Sequence, residues 1–213
     1  MKRSLYLEST IPSYLVGVPS RDLLIAAHQQ VTAEWWRVRR IEFDLYVSQF
    51  ILDEIGRGDA ELAKKRLDAV KGIPLLDITD DVLDLATGFL ALRIIPKKAG
   101  TDAVHIALAA IHGVDFLLTW NCKHIANAAI IRDIEAVCRM RGFPCPVICT
   151  PEELMEVLMA KDPIIDEVRK NRREIAEQFG YDLRAIIADA RKRQKARGKK
   201  VVSLVRGKKK RTL

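Results

Sequence analysis

Short apolar runs alternate along the chain with stretches in which apolar positions recur every three or four residues. Residues 4–7 are an apolar run stopped by Glu8 and predict a strand. Residues 43–47 predict a second strand, closed by Ser48 as a helix N-cap, with a short helix over 51–55 behind it. Residues 75–78 and 147–149 are strand-like. Residues 116–119 form the unbroken apolar strand expected of a parallel sheet covered on both faces. Helical spacing covers 22–39, with Leu24, Ala27, Val31 and Trp35 on one face. It returns over 60–70 beyond Gly56 and Gly58, over 80–92, over 130–141, and in a final helix from Pro151. The clearest helix is 101–111, with Val104, Ala107, Leu108 and Ile111 as its stripe. Strands alternating with helices predict a three-layer α/β fold, a central parallel sheet flanked by helices. The ligand site of such a sheet lies beyond the carboxyl ends of its strands.

Asp162-Pro163 marks a boundary, and the pattern beyond it changes. Ile164, Val168 and Ile175 mark one amphipathic helix, interrupted at Gly180; Leu183, Ile186, Ile187 and Ala190 mark a second. The chain therefore divides into a body, residues 1–158, and a basic helical extension, residues 161–213. Two helices of this size cannot enclose a core, so the extension is expected to pack on the body or on a second subunit.

Charge sharpens the division. The whole chain of 213 residues is +8, but residues 161–213 hold 18 Lys or Arg against 7 Asp or Glu, while the first 160 hold 18 against 21. A mildly acidic body carrying a strongly basic tail points to nucleic acid or an acidic protein surface as the tail's target. With 49% hydrophobic and 30% charged residues, a disordered or collagen-like chain is excluded. The apolar runs fall short of a membrane span, and the N-terminus meets Glu8 too early for a signal-peptide core, so a cytoplasmic protein without membrane contact is expected. Cys145 and Cys149 form a CxxxC pair without zinc-ligand spacing around it, and the four cysteines read as buried thiols of a reducing compartment. Phosphate loops, serine-nucleophile motifs and dinucleotide fingerprints are missing from the sequence.

Three acids stand where a strand or turn meets a helix: Glu8 after the first strand, Glu54 in the short helix after the second, and Asp102 in the first turn of the strongest helix. Each alone is unremarkable, since an acid in a first helical turn suits the macrodipole and a lone Glu is normally solvated. In a doubly wound sheet, however, the three positions converge on one edge. Clustered carboxylates raise one another's pKa unless a cation sits between them. Hard oxygen ligands suit Mg²⁺ or Mn²⁺, which can activate water and stabilise in-line displacement at a phosphodiester.

Four segments resemble the motifs of PIN domains, in order, over residues 1 to about 158. They are Tyr6-Leu7-Glu8-Ser9-Thr10-Ile11-Pro12-Ser13-Tyr14-Leu15, Val47-Ser48-Gln49-Phe50-Ile51-Leu52-Asp53-Glu54-Ile55, Thr101-Asp102-Ala103-Val104-His105-Ile106-Ala107-Leu108-Ala109 and Asp115-Phe116-Leu117-Leu118-Thr119-Trp120-Asn121-Cys122-Lys123-His124-Ile125. The resemblance is to the VapC-type toxins of toxin–antitoxin pairs, and it implies a Mg²⁺- or Mn²⁺-dependent endoribonuclease that acts on RNA and commonly forms a homodimer. It implies Glu8, Glu54 and Asp102 as metal-binding catalytic acids, with Thr119 and Asn121 lining the same pocket. The sequence departs from the family pattern where Glu8 replaces the usual Asp and where Asn121 and His124 stand at positions often held by Asp. Those departures favour an alternative, a catalytically silent PIN-fold module that binds RNA or a partner protein without cleavage. Asp115 is expected at the far end of its strand, away from the site.

His105 reads as a packed side chain in preference to a member of a mixed His/carboxylate site. Trp120 reads as core or lid in preference to a base-stacking platform, and Trp35, Trp36 and Tyr46 as core or dimer surface. Segments 162–183 and 199–204 resemble a small protein encoded beside such toxins and thought to be an antitoxin. This implies an antitoxin-like segment, acting in cis or from a second subunit, whose basic residues Arg191, Lys192, Arg193, Lys195, Arg197, Lys199 and Lys200 cover the acidic pocket. A solvated basic tail that gathers RNA is the competing expectation.

Overall fold

In a computed structural model, which describes residues 2–155 and 163–196, the backbone is an α/β fold. Two units divide the chain, Met1–Leu158 and Met159–Leu213.

In the first unit the apolar run at the N-terminus becomes β1 (Arg3–Leu7), followed by α1 (Thr10–Val16) and α2 (Leu23–Val38). Then come β2 (Phe43–Tyr46), α3 (Gln49–Ile55), α4 (Ala60–Ala69), α5 (Asp80–Ala91), α6 (Gly100–Ile111), β3 (Phe116–Leu118), α7 (Ile131–Met140) and β4 (Val147–Cys149). The four strands make one wholly parallel sheet in the order β2-β1-β3-β4. Leu5, Tyr6 and Leu7 of β1, like all three residues of β3, are buried, as central parallel strands require.

Differences from the sequence expectations have local causes. Residues 75–78 do not form a strand; Val47 and Leu75 make a single parallel bridge, with Val47 N donating to Pro74 O and Leu76 N to Val47 O. Residues 151–154 form turns instead of the start of a helix, and residues 156–162 lie outside the described residues. On α2 only the second half of the expected stripe packs: Leu24 is 67% exposed and Ala27 is exposed, whereas Val31 packs against the core and Trp35, with Thr32 beside its face, is fully buried. Thr32 tolerates burial because its hydroxyl donates to His28 O (2.7 Å) and accepts from Trp120 Nε1 (2.7 Å). α6 is buried nearly all round, from Ala103 and from His105 to Ala110, and its alanines let the helix approach its neighbours closely. All four cysteines are free thiols, but the expectation of four buried ones is corrected: Cys138 and Cys149 are buried, Cys145 is half-buried and Cys122 is exposed.

The second unit contains α8 (Pro163–Gln178) and α9 (Leu183–Ala196), joined through a turn in which Gly180 and Tyr181 both have positive φ. Neither helix has a buried residue. Among the described residues, no helix is long and apolar enough to cross a membrane.

Candidate metal centre

The carboxyl ends of β1, β2 and β3 share one edge of the sheet. α6 runs back into β3, so its first turn comes to that edge too. Glu8 directly follows β1, and its amide donates to Leu118 O (3.0 Å), extending the ladder by one residue. Its side chain is only 3% exposed. A carboxylate at that depth requires donors, and Glu8 has them. Oε1 accepts from Ser9 Oγ (2.6 Å); Oε2 accepts from Thr10 N (3.1 Å), Thr10 Oγ1 (2.5 Å) and Thr119 Oγ1 (2.7 Å). Thr119 Oγ1 accepts in turn from Asn121 N (2.8 Å), and Thr10 Oγ1 from Trp120 N (2.8 Å). The segments after β1 and β3 are thereby tied together around one carboxylate.

Glu54 is delivered by α3, which Ser48 caps through a hydrogen bond from Ile51 N to its Oγ (3.4 Å). Burial of Ile51 and Ile55 fixes the rotation of this short helix. Glu54 Oε2 then lies 3.2 Å from Nε2 of His105, which is 1% exposed. Ligand atoms of Glu8, Glu54 and His105 all fall within 4.8 Å of one another. Behind the ring, Nδ1 contacts Tyr6 Oη (2.9 Å), which contacts Ser48 Oγ (2.7 Å).

Asp102 borders this cluster from the first turn of α6. Asn121 Nδ2 donates to Asp102 Oδ1 (3.1 Å), while Asn121 Oδ1 accepts from His124 N (3.1 Å), which fixes the orientation of the amide. The two less buried acids differ electrostatically. Burial pushes Glu54 up, but the hydrogen bond from His105 and the charge of Arg57 outweigh it and hold Glu54 below the ordinary glutamate range. Burial, helped by the charge of Glu8, raises Asp102 above the ordinary aspartate value despite the hydrogen bond from Asn121. Burial also pushes the Tyr6 phenol far up, so it keeps its proton.

Glu8, Glu54, Asp102, Thr119 and Asn121 thus all stand on this edge. The tightest set differs from the expected metal triad in one member: His105 takes the place of Asp102, which stands beside it. His105 is packed as expected, and its buried ring also reaches Glu54. The signal was the spacing, for a residue three places after Asp102 shares its helix face. Ser9, Thr10, Tyr6 and Ser48 also serve the site without having been singled out for it. Trp120 is occupied internally, stacked on His28 with centroids 4.0 Å apart. Asp115 lies at the opposite edge, accepting from Ser4 N (2.8 Å) and Ser4 Oγ (2.7 Å) at the start of β1. In the second unit Arg191, Lys192, Arg193 and Lys195 are exposed on α9, with Arg193 paired to Asp189 (2.6 Å). Arg197, Lys199 and Lys200 lie outside the described residues.

No protein-family model matches the chain, and no curated protein matches it.

Proposed function

We propose that the chain is a metal-dependent endoribonuclease of the PIN type, the toxin component of a type II toxin–antitoxin system of VapC character. The observation that carries this reading is the meeting of Glu8, Glu54 and Asp102, from three separate elements, on the carboxyl edge of a parallel sheet. The donor set fits a hard divalent cation such as Mg²⁺ or Mn²⁺: it is rich in carboxylate oxygen, and two carboxylates are held within 4.8 Å of each other. When bound, such a cation supplies Lewis-acid polarisation of a phosphodiester. Glu8, Glu54 and Asp102 are the residues to hold it. Thr119 fixes Glu8, and Asn121 fixes Asp102, so the acids enter the reaction already oriented.

In the test, purified protein is incubated with RNA in Mg²⁺ or Mn²⁺. Cleavage to 5′-phosphate and 3′-hydroxyl ends, abolished by EDTA, is expected. Asp102→Asn should lower the rate at least 10²-fold, as loss of a metal ligand implies. Equal cleavage by wild type and Asp102→Asn contradicts the assignment.

One observation favours the second reading, a silent module that binds RNA or a protein without cutting. The oxygens of Glu8 already receive four hydrogen bonds from the protein, and the neutral Asn121 donates to Asp102. Cation binding separates the two readings.

We propose further that residues 161–213 act as an antitoxin-like restraint on the nuclease, in cis or across a homodimer. The opposite charges of the two units support this.

A further inference from the structure

The buried row Ser48–Tyr6–His105–Glu54 has hydrogens that can be placed by elimination. Ser48 is fully buried, and its Oγ already accepts from Ile51 N. The hydroxyl hydrogen of Ser48 therefore needs an acceptor, and among the described residues Tyr6 Oη, 2.7 Å away, is the one within reach. Tyr6 must then turn its own hydrogen to the other neighbour, Nδ1 of His105 at 2.9 Å. With Nδ1 accepting, the ring's proton resides on Nε2 and points at Glu54 Oε2, 3.2 Å away. The reverse order fails twice. It strands the Ser48 hydrogen in a buried site, and in a neutral ring it sets the Nε2 lone pair against a carboxylate oxygen. An imidazolium ring strands one hydroxyl hydrogen as well, that of Ser48 or that of Tyr6, because its Nδ1–H would claim Tyr6 Oη as acceptor.

We infer that His105 is a positioning residue, held by Ser48 and Tyr6 as the Nε2–H tautomer, which grips Glu54 and presents that carboxylate to the pocket without itself ligating a cation. A ring that carries hydrogen on Nε2 has no lone pair there to give. The pocket therefore offers a cation oxygen ligands, which selects hard ions over those that prefer imidazole nitrogen. The catalytic meaning of this grip rests on the metal-pocket reading above; the tautomer does not. Support of this kind behind a ligand is typically worth ten- to a hundredfold in metal affinity.

The experiment is long-range ¹H–¹⁵N NMR of the His105 ring in the full chain, first free of metal and then saturated with Mg²⁺. An unprotonated Nδ1 and a protonated Nε2, unchanged by Mg²⁺, are expected. An unprotonated Nε2 in either state overturns the inference. His105→Ala and His105→Gln are compared by Mg²⁺ calorimetry. Alanine should weaken binding about tenfold, and glutamine, which keeps an N–H donor, should recover most of that; failure of glutamine to recover any affinity in a folded protein counts against positioning. If the tautomer is as expected and wild type takes no Mg²⁺, the grip on Glu54 stands and the nuclease reading falls.

Discussion

Burial sets Asp102 against ionisation, which costs the folded chain stability at neutral pH. Its raised pKa means that the folded chain disfavours its ionised form. The stability it contributes is therefore full below the ordinary aspartate value and lost as pH rises through the raised one. Glu54 behaves oppositely: its lowered pKa contributes stability above the ordinary glutamate range, lost as pH falls through the folded value. In EDTA, Asp102→Asn should therefore raise the melting temperature at pH 7 and change it less at pH 3, whereas Glu54→Gln should lower it at pH 7. Thermal melts at the two pH values check both signs. Thr119 offers a second test, because its one hydroxyl serves Glu8 and Asn121 together. Thr119→Val keeps the shape and removes both bonds, which should cost about 1–3 kcal/mol in urea denaturation.

At the scale of elements, α6 decides where the site falls. Its first turn carries Asp102, its second carries His105, and its fully buried alanines 103, 107, 109 and 110 set how closely it packs. Ala107→Leu should cost about 1–3 kcal/mol by overpacking, measured as a shift of the urea midpoint. Elements with strong periodicity or unbroken apolar runs, such as α6 and β3, were legible from sequence alone, and with them the edge on which the acids meet. α1 was not: Thr10, Ile11, Pro12 and Ser13 are poor helix formers, and the helix is supported by burial of Ile11 and Pro12. The face of α2 was legible only in its second half, at Val31 and Trp35, and Thr32 was missed there because a paired threonine stands on the buried side. The polar row behind His105 left no signal, since its members come from β1, the cap of α3, and α6, and only the fold brings them together.

For the whole molecule, the decisive property is the opposite charge of its two parts. A covalent tether replaces a bimolecular encounter by a local concentration that can reach millimolar, so under the proposed function modest contacts of residues 161–213 would suffice to restrain residues 1–158. A chain ending at Met159 should cleave RNA faster and arrest growth more strongly than the full chain, and added salt should narrow the difference by screening its charged part. A shortened chain that folds but loses RNA binding would show that the tail gathers substrate.

The central claim, that the carboxyl edge of this sheet is a cation site, is met most directly by Mn²⁺ calorimetry on the full chain and on the chain ending at Met159. We expect saturable Mn²⁺ binding at millimolar concentration or below, abolished in Asp102→Asn and Glu54→Gln. Folded protein that takes up no Mn²⁺ at millimolar concentration in either form, or variants that bind it as well as wild type, would contradict the claim.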